Sequence, residues 1–539
     1  MLRQAEDERG TGWLCALAAA CAIAAIPILA VPMPLVLDYP NHLARLWLLA
    51  GGASEASFPA IYAIDWSASG TNILIDLIAI TIGRVVPIGL LGPALLIAAL
   101  LLPAIGAAML GRAAFRRWSW WHLFALLPAW GAPLLLGFLN FQIGCGLALI
   151  GAAIDARLTG APGRIAFRIG WAILLLVTHP FGLGFHAALL GGLALGPDLP
   201  DRFRARSLLI PVGRAIRAVL PAIAVVILFW LVARHPGGAS AAPTWLPWPF
   251  RIEALFSPMQ GYGGSIGTVL VALLWGTILI ARASDALRVH AGLAIAAALL
   301  AGGTLVVPQI AFDTGQLMLR LAEMAWLTWI AAVLPGVGWG RRATSGGAAL
   351  ALAAVALRTA DIGRVWIARQ SDAASVAAML AQVPQGARIL PLDQQPQLVP
   401  YTGLPIGRAL GPLPTYLHLP LLAVPGRHAF LPTLFAYAGK QVVSVRPPYD
   451  RIAVREGTLA TVDRLGALTP TSPDATFYPY LMNWPCFDFV LVLNADLPNR
   501  AGLLRTFGGR IAPVADGGFA RLYRIADGAR RTCAVPGLR

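Results

Sequence analysis

The segment Leu37-Asp38-Tyr39-Pro40-Asn41-His42-Leu43-Ala44-Arg45 gathers a carboxylate, an amide, an imidazole and a guanidinium within a few positions. Pro40 belongs in a first helical turn, so a helix is expected to start here. Asp38, Asn41, His42 and Arg45 then fall at i, i+3, i+4 and i+7, which stacks them on one helix face. On that face Asp38 is a candidate to take a proton from a hydroxyl. His42 would orient it or share a metal, while Asn41 and Arg45 would hold substrate, Arg45 through an anion. The same spacing also reads as an N-cap at Asp38 followed by interfacial anchors at His42 and Arg45, and both readings stay open.

A second set of candidates is cationic. Arg84, Arg234, Arg251 and Arg320, with His179, are candidates to hold an anion at a membrane rim, or to anchor helix ends there. His179 precedes Pro180, so it also reads as a helix-terminal residue bonded to a free carbonyl. The Asp313 to Arg320 loop carries both signs and reads as an ion pair. Trp245 and Trp248 fit an aromatic belt, or a stacking surface. Gly192 and Gly196 form a small-xxx-small packing pair. Of the five cysteines, Cys15, Cys21 and Cys145 lie in apolar segments, and only Cys486 and Cys533 are candidates to pair.

These residues need a membrane to position them. Of 539 residues, 58% are apolar and 12% charged, against roughly 45–50% and roughly 25% in soluble domains. A polar-surfaced globule, a disordered chain and a disulfide scaffold are excluded. The net charge of +16 comes from short arginine clusters between apolar runs, with Lys440 the one lysine. Such clusters set topology, and no nucleic-acid partner is expected.

Apolar runs lie near 12–34, 92–111, 121–138, 140–155, 169–196, 218–233, 265–283, 290–307, 321–338 and 346–368, with a break at Thr178-His179-Pro180. The first is long enough to be an uncleaved signal anchor. Clusters at Arg112, Arg116 and Arg117, at Arg157, Arg164 and Arg168, at 202–217, at Arg282 and Arg288, and at Arg341 and Arg342 are assigned to the cytosol. Parity then puts residues 35–71 outside. The stretch 72–87 goes to the outer interface, because Asp76 and Arg84 would each cost roughly 2.5–3.5 kcal/mol at a helix centre. About eleven spans result, with Arg358, Asp361 and Arg364 read as the last of them emerging into water and everything after about Gln370 outside.

From Ser371 the composition shifts to prolines, tyrosines and charges. Strands are expected at 387–392, 441–446, 487–493 and 519–525, and a helix at 372–382 ending near Gly386. The expected architecture is a polytopic α-helical membrane domain over 1–370, with an outer loop at 35–90, and a small extracytoplasmic α/β domain over 371–539.

The arrangement resembles the GT-C superfamily of membrane glycosyltransferases, which use sugars carried on polyprenyl phosphate. The likeness rests on Asp38 near the start of the first outer loop, on interfacial helices in that loop, on many short-linked spans and on an outer C-terminal domain. It extends to Gly137-Phe138-Leu139-Asn140-Phe141-Gln142, where the superfamily commonly has an acid and this chain has Asn140. The ending also resembles bacterial members, in Phe487-Asp488-Phe489-Val490-Leu491-Val492 and Gly518-Phe519-Ala520-Arg521-Leu522-Tyr523-Arg524. The resemblance implies an inverting transferase of the bacterial cytoplasmic membrane, with Asp38 as general base. It implies a polyprenyl-phosphate-linked sugar as donor and a glycan, lipid or protein as acceptor, with Asn140, His179, Arg84 and Arg320 among the substrate-binding residues. Tyr39 stands where some families carry a second acid. No cofactor is required by the residues, and a divalent metal stays open. The alternative is a transporter or glycan-assembly subunit without catalysis.

Overall fold

The computed structural model describes residues 2–196, 205–232, 242–262, 264–311, 314–395, 408, 414–436, 440–454, 457, 459–469, 471–472, 477–497, 503 and 506–538. The chain is mostly helical, with a small sheet region toward the C-terminus. Its strands are β1 (Tyr62–Ile64), β2 (Leu287–Val289), β3 (Val333–Pro335), β4 (Ile389–Asp393), β5 (Val443–Val445), β6 (Ala460–Thr461), β7 (Phe489–Leu493), β8 (Ile511–Asp516) and β9 (Ala520–Ile525). Residue contacts gather the chain into two compact units, one from Met1–Ala30, Pro93–Ala233 and Gly237–Arg364, the other chiefly from Val31–Gly92 and Val365–Arg539.

The first unit is a helical bundle. Among the described residues, five helices are long and apolar enough to cross a membrane: Gly12–Ala30, Ile88–Phe115, Ala161–Thr178, Leu209–Val232 and Gly264–Ala283. The apolar helices Leu139–Asp155, Pro180–Leu195 and Ala291–Val306 are shorter. Glycines let backbones approach, since a Cβ on Gly106 would stand 2.7 Å from Leu149 Cβ and one on Gly192 2.9 Å from the Gly292 carbonyl. Gly196 accepts a hydrogen bond from the Gly292 amide at 3.0 Å, so the Gly192/Gly196 pair does pack a helix. The chain breaks at His179, whose extended backbone precedes Pro180 at the first position of the next helix.

Two expectations for helices need correction. The run 121–138 is not one helix but a 3-10 turn at Trp120–Ala125 and short helices at Leu126–Ala129 and Ala132–Leu136. Pro128, Gly131, Pro133 and a left-handed Gly137 divide it. The separate helix expected at 372–382 is instead the end of one 41-residue helix, Arg341–Ala381. No proline interrupts that stretch, so nothing local ends the helix where the composition changes.

The second unit is built on a five-stranded sheet of order β6-β4-β7-β9-β8. β4 runs parallel to both β6 and β7, whereas β9 is antiparallel to β7 and β8. β4 and β7 are buried along their whole length, as near-continuous apolar central strands must be. The expected strand at 441–446 exists as β5, but it pairs with β1 and not with the main sheet. That antiparallel pair ties the loop after the first helix to the C-terminal part of the chain. Cys486 and Cys533 form a disulfide inside this unit.

Candidate functional site

In the second unit the helix Tyr39–Leu49 begins where the sequence placed it, with Asp38 at the N-cap position and Pro40 in the first turn. Asp38 does not cap: its backbone is helical and its side chain takes no hydrogen bond from the first turn. The carboxylate instead faces a histidine from the far end of the chain, with His418 Nε2 at 3.3 Å from Asp38 Oδ1. Both are largely shielded, the Asp38 side chain being 16% exposed and that of His418 8%.

Asn41 lies fully buried one turn on and holds the partner loop. Its Oδ1 accepts from the Phe435 amide at 2.8 Å, and its Nδ2 donates to the Thr433 carbonyl at 3.0 Å. The same Nδ2 lies 3.3 Å from His418 Nδ1. Phe435 presents its ring edge-on to both His418 (5.3 Å) and His42 (6.0 Å). Arg45 is buried against Asp76 of the helix Leu74–Thr81, with contacts of 3.0 and 2.9 Å, so its guanidinium faces a protein carboxylate. Arg84 is exposed at the end of the turn that follows.

A buried polar network also closes the carboxyl ends of β4 and β7. Asp393, the last residue of β4, accepts from Asn494 Nδ2 (2.8 Å), the Gln395 amide (3.0 Å) and the Tyr416 hydroxyl (2.8 Å). Burial pushes the Asp393 carboxyl up to about 6, against the lowering effect of those hydrogen bonds. Tyr416 lies two residues before His418 on the same loop.

The first unit carries its own polar cluster. Arg320 lies 3.4 Å from His179 Nε2, and its guanidinium sits over Phe138 (4.0 Å), Phe141 (5.1 Å) and Phe181 (5.7 Å). His179 Nδ1 accepts from the Phe181 amide, so this histidine caps the start of the helix Pro180–Leu195. Asn140 is buried in the first turn of the helix Leu139–Asp155. One turn from Arg320, Glu323 is fully buried and accepts from Gln142 Nε2 at 3.0 Å. Arg251 stacks on Trp248 at 4.9 Å and bonds the Leu305 carbonyl at 3.2 Å, which is an anchoring role. Arg234 and Asp313 lie outside the described residues.

Arg358 and Asp361 depart from expectation. They read as the last span emerging into water, yet both are buried in the first unit, and Arg358 donates to the Trp130 carbonyl at 2.9 Å. Among the described residues no group of three or more His, Cys, Asp or Glu is arranged to hold a metal.

Sequence reasoning missed His418 as the partner of Asp38 and missed Glu323 altogether, while it took in Gln142 only as the end of the segment around Asn140. A glutamate one turn from an arginine in an apolar helix was a usable signal for Glu323. Nothing local pairs His418 with Asp38. Compared with protein-family models, curated proteins and solved structures, the chain has no match.

Proposed function

We propose that this protein is an inverting membrane glycosyltransferase that uses a polyprenyl-phosphate-linked sugar. The observation that carries the reading is Asp38: a partly exposed carboxylate released from capping and held by His418. As base, Asp38 takes the proton of an acceptor hydroxyl while that oxygen bonds to the anomeric carbon. The bond from that carbon to the phosphate oxygen breaks, and its electron pair leaves with the polyprenyl phosphate. Arg84, exposed in the same unit as Asp38, is the candidate cation for the phosphate.

The Cys486–Cys533 disulfide supports an oxidising compartment for the C-terminal residues. The arginine clusters support the same orientation in a bacterial cytoplasmic membrane, with about eleven crossings if the stretch Trp120–Leu136, the three shorter apolar helices, Leu317–Ala332 and the apolar part of Arg341–Ala381 are counted with the five long ones. The acceptor is then a glycan, lipid or protein of the cell envelope.

The test is a strain lacking the protein, with envelope glycans and polyprenyl-linked sugars followed by mass spectrometry. Asp38→Asn is expected to fail to restore the missing product, a loss of about 10²–10⁴ in rate. Transfer at the wild-type rate by that variant refutes the reading. A transporter or non-catalytic assembly subunit is the second reading, favoured by the buried ionisable residues Glu323, Arg358 and Asp361. Substrate flux in liposomes without sugar transfer would establish it instead.

A further inference from the structure

Proton counting around Asn41 assigns the state of His418. The Phe435 backbone amide is a donor and can only face an acceptor, so the Asn41 atom 2.8 Å from it is the carbonyl oxygen. The other end of the amide is therefore NH₂. The Thr433 carbonyl, an obligate acceptor 3.0 Å from that nitrogen, fixes the same orientation independently. One amide proton serves Thr433 and the second points at His418 Nδ1, 3.3 Å away. Nδ1 must then be the bare, accepting nitrogen of the imidazole, which puts the ring proton on Nε2. That is the nitrogen facing Asp38 Oδ1.

We infer that His418 is the positioning residue for Asp38: Asn41 locks the imidazole as its Nε2–H tautomer, and that N–H fixes Oδ1 so that Oδ2 receives the acceptor proton. The inference rests on the proposed function and adds a role to a residue from the opposite end of the chain. His418 donates to the carboxylate and does not itself act as the base, since its one accepting nitrogen is occupied by Asn41. The Phe435 ring, edge-on at 5.3 Å, restricts rotation of the imidazole out of this line. Backbone bonds from Leu419 to Tyr416 and from Leu421 to His418 hold the loop that presents it.

The experiment has two arms on the full-length protein. Nitrogen NMR of histidine-labelled protein in detergent, at mildly alkaline pH, identifies the His418 signals by their disappearance in His418→Gln. A bare Nδ1 and a protonated Nε2 are expected, and the opposite tautomer overturns the inference. In the complementation assay, His418→Gln keeps a donor that reaches Asp38 and is expected to retain product. His418→Phe fills the same space without a donor and is expected to lose product at unchanged protein abundance. Equal product from His418→Phe and wild type overturns the positioning role while leaving the function standing. If the Nε2–H tautomer is found but Asp38→Asn restores product fully, the proposed function falls and the role of His418 falls with it.

Discussion

Replacing Asp393 by asparagine is expected to stabilise the protein at neutral pH, although it removes a hydrogen-bonded carboxylate. The reason is burial. The Asp393 carboxyl is raised from 3.8 to about 6, so the folded state holds its proton over a range in which the unfolded chain has released it. For a raised carboxylate, the stabilisation is complete below the unfolded value and is lost as pH rises through about 6. The gap, at about 1.4 kcal/mol per pH unit, is worth about 3 kcal/mol. An asparagine fits the same partners. Its oxygen accepts from Asn494 and the Gln395 amide, while its NH₂ donates to the Tyr416 oxygen and leaves that hydroxyl for Gln395 Oε1, 2.9 Å away. Heat denaturation of both proteins in detergent should show Asp393→Asn melting higher at about pH 7.5, by about 2–4 °C per kcal/mol. The difference should close toward about pH 4. A constant difference across that range, or a wild type that is the more stable at neutral pH, would refute the argument.

Asp76→Ala should leave the Arg45 guanidinium buried without its carboxylate and cost about 3–5 kcal/mol, whereas Arg45→Met with Asp76→Leu should cost much less; melting curves of the two variants separate them. Reduction of the Cys486–Cys533 bond, which closes a loop with a sequence separation of 47, should cost the second unit about 4 kcal/mol. Thiol-reactive polymer labelling of unfolded protein should add two tags after reduction to those already carried by Cys15, Cys21 and Cys145. Gly192→Ala would bring a methyl group to 2.9 Å from the Gly292 carbonyl, within van der Waals overlap of backbone, and should lower the yield of folded protein in detergent size-exclusion profiles.

Local pattern carried much of this structure, and it failed where the signal was short or the deciding contact was distant. The helix at Tyr39–Leu49, the break at His179 and the strands β4, β7 and β9 follow from proline placement and from apolar runs that need no distant partner. β6, at two residues, and β8, an exposed edge strand containing Pro513, carry too little pattern to be read. The helix Arg341–Ala381 runs through a composition change because composition does not end a helix; caps, glycine and proline do. Arg358 and Asp361 were misread because a charged residue near the end of an apolar run looks like an exit until a neighbour covers it. The polar face at Asp38 was legible from spacing alone. Its partner was not, because the contact joins segments 377 residues apart and is made by tertiary packing, to which no window of sequence is sensitive.

That separation sets a clock. At a ribosomal rate of about 5–20 residues per second, Asn41 emerges about 20 to 75 s before His418 does. During that interval the helix at residue 39 waits with its amide and carboxylate unmatched. Any chain released early, by a stop codon or a stalled ribosome, therefore lacks the pairing altogether. A truncated product then offers quality-control proteases an unmatched polar face as a mark of incompleteness.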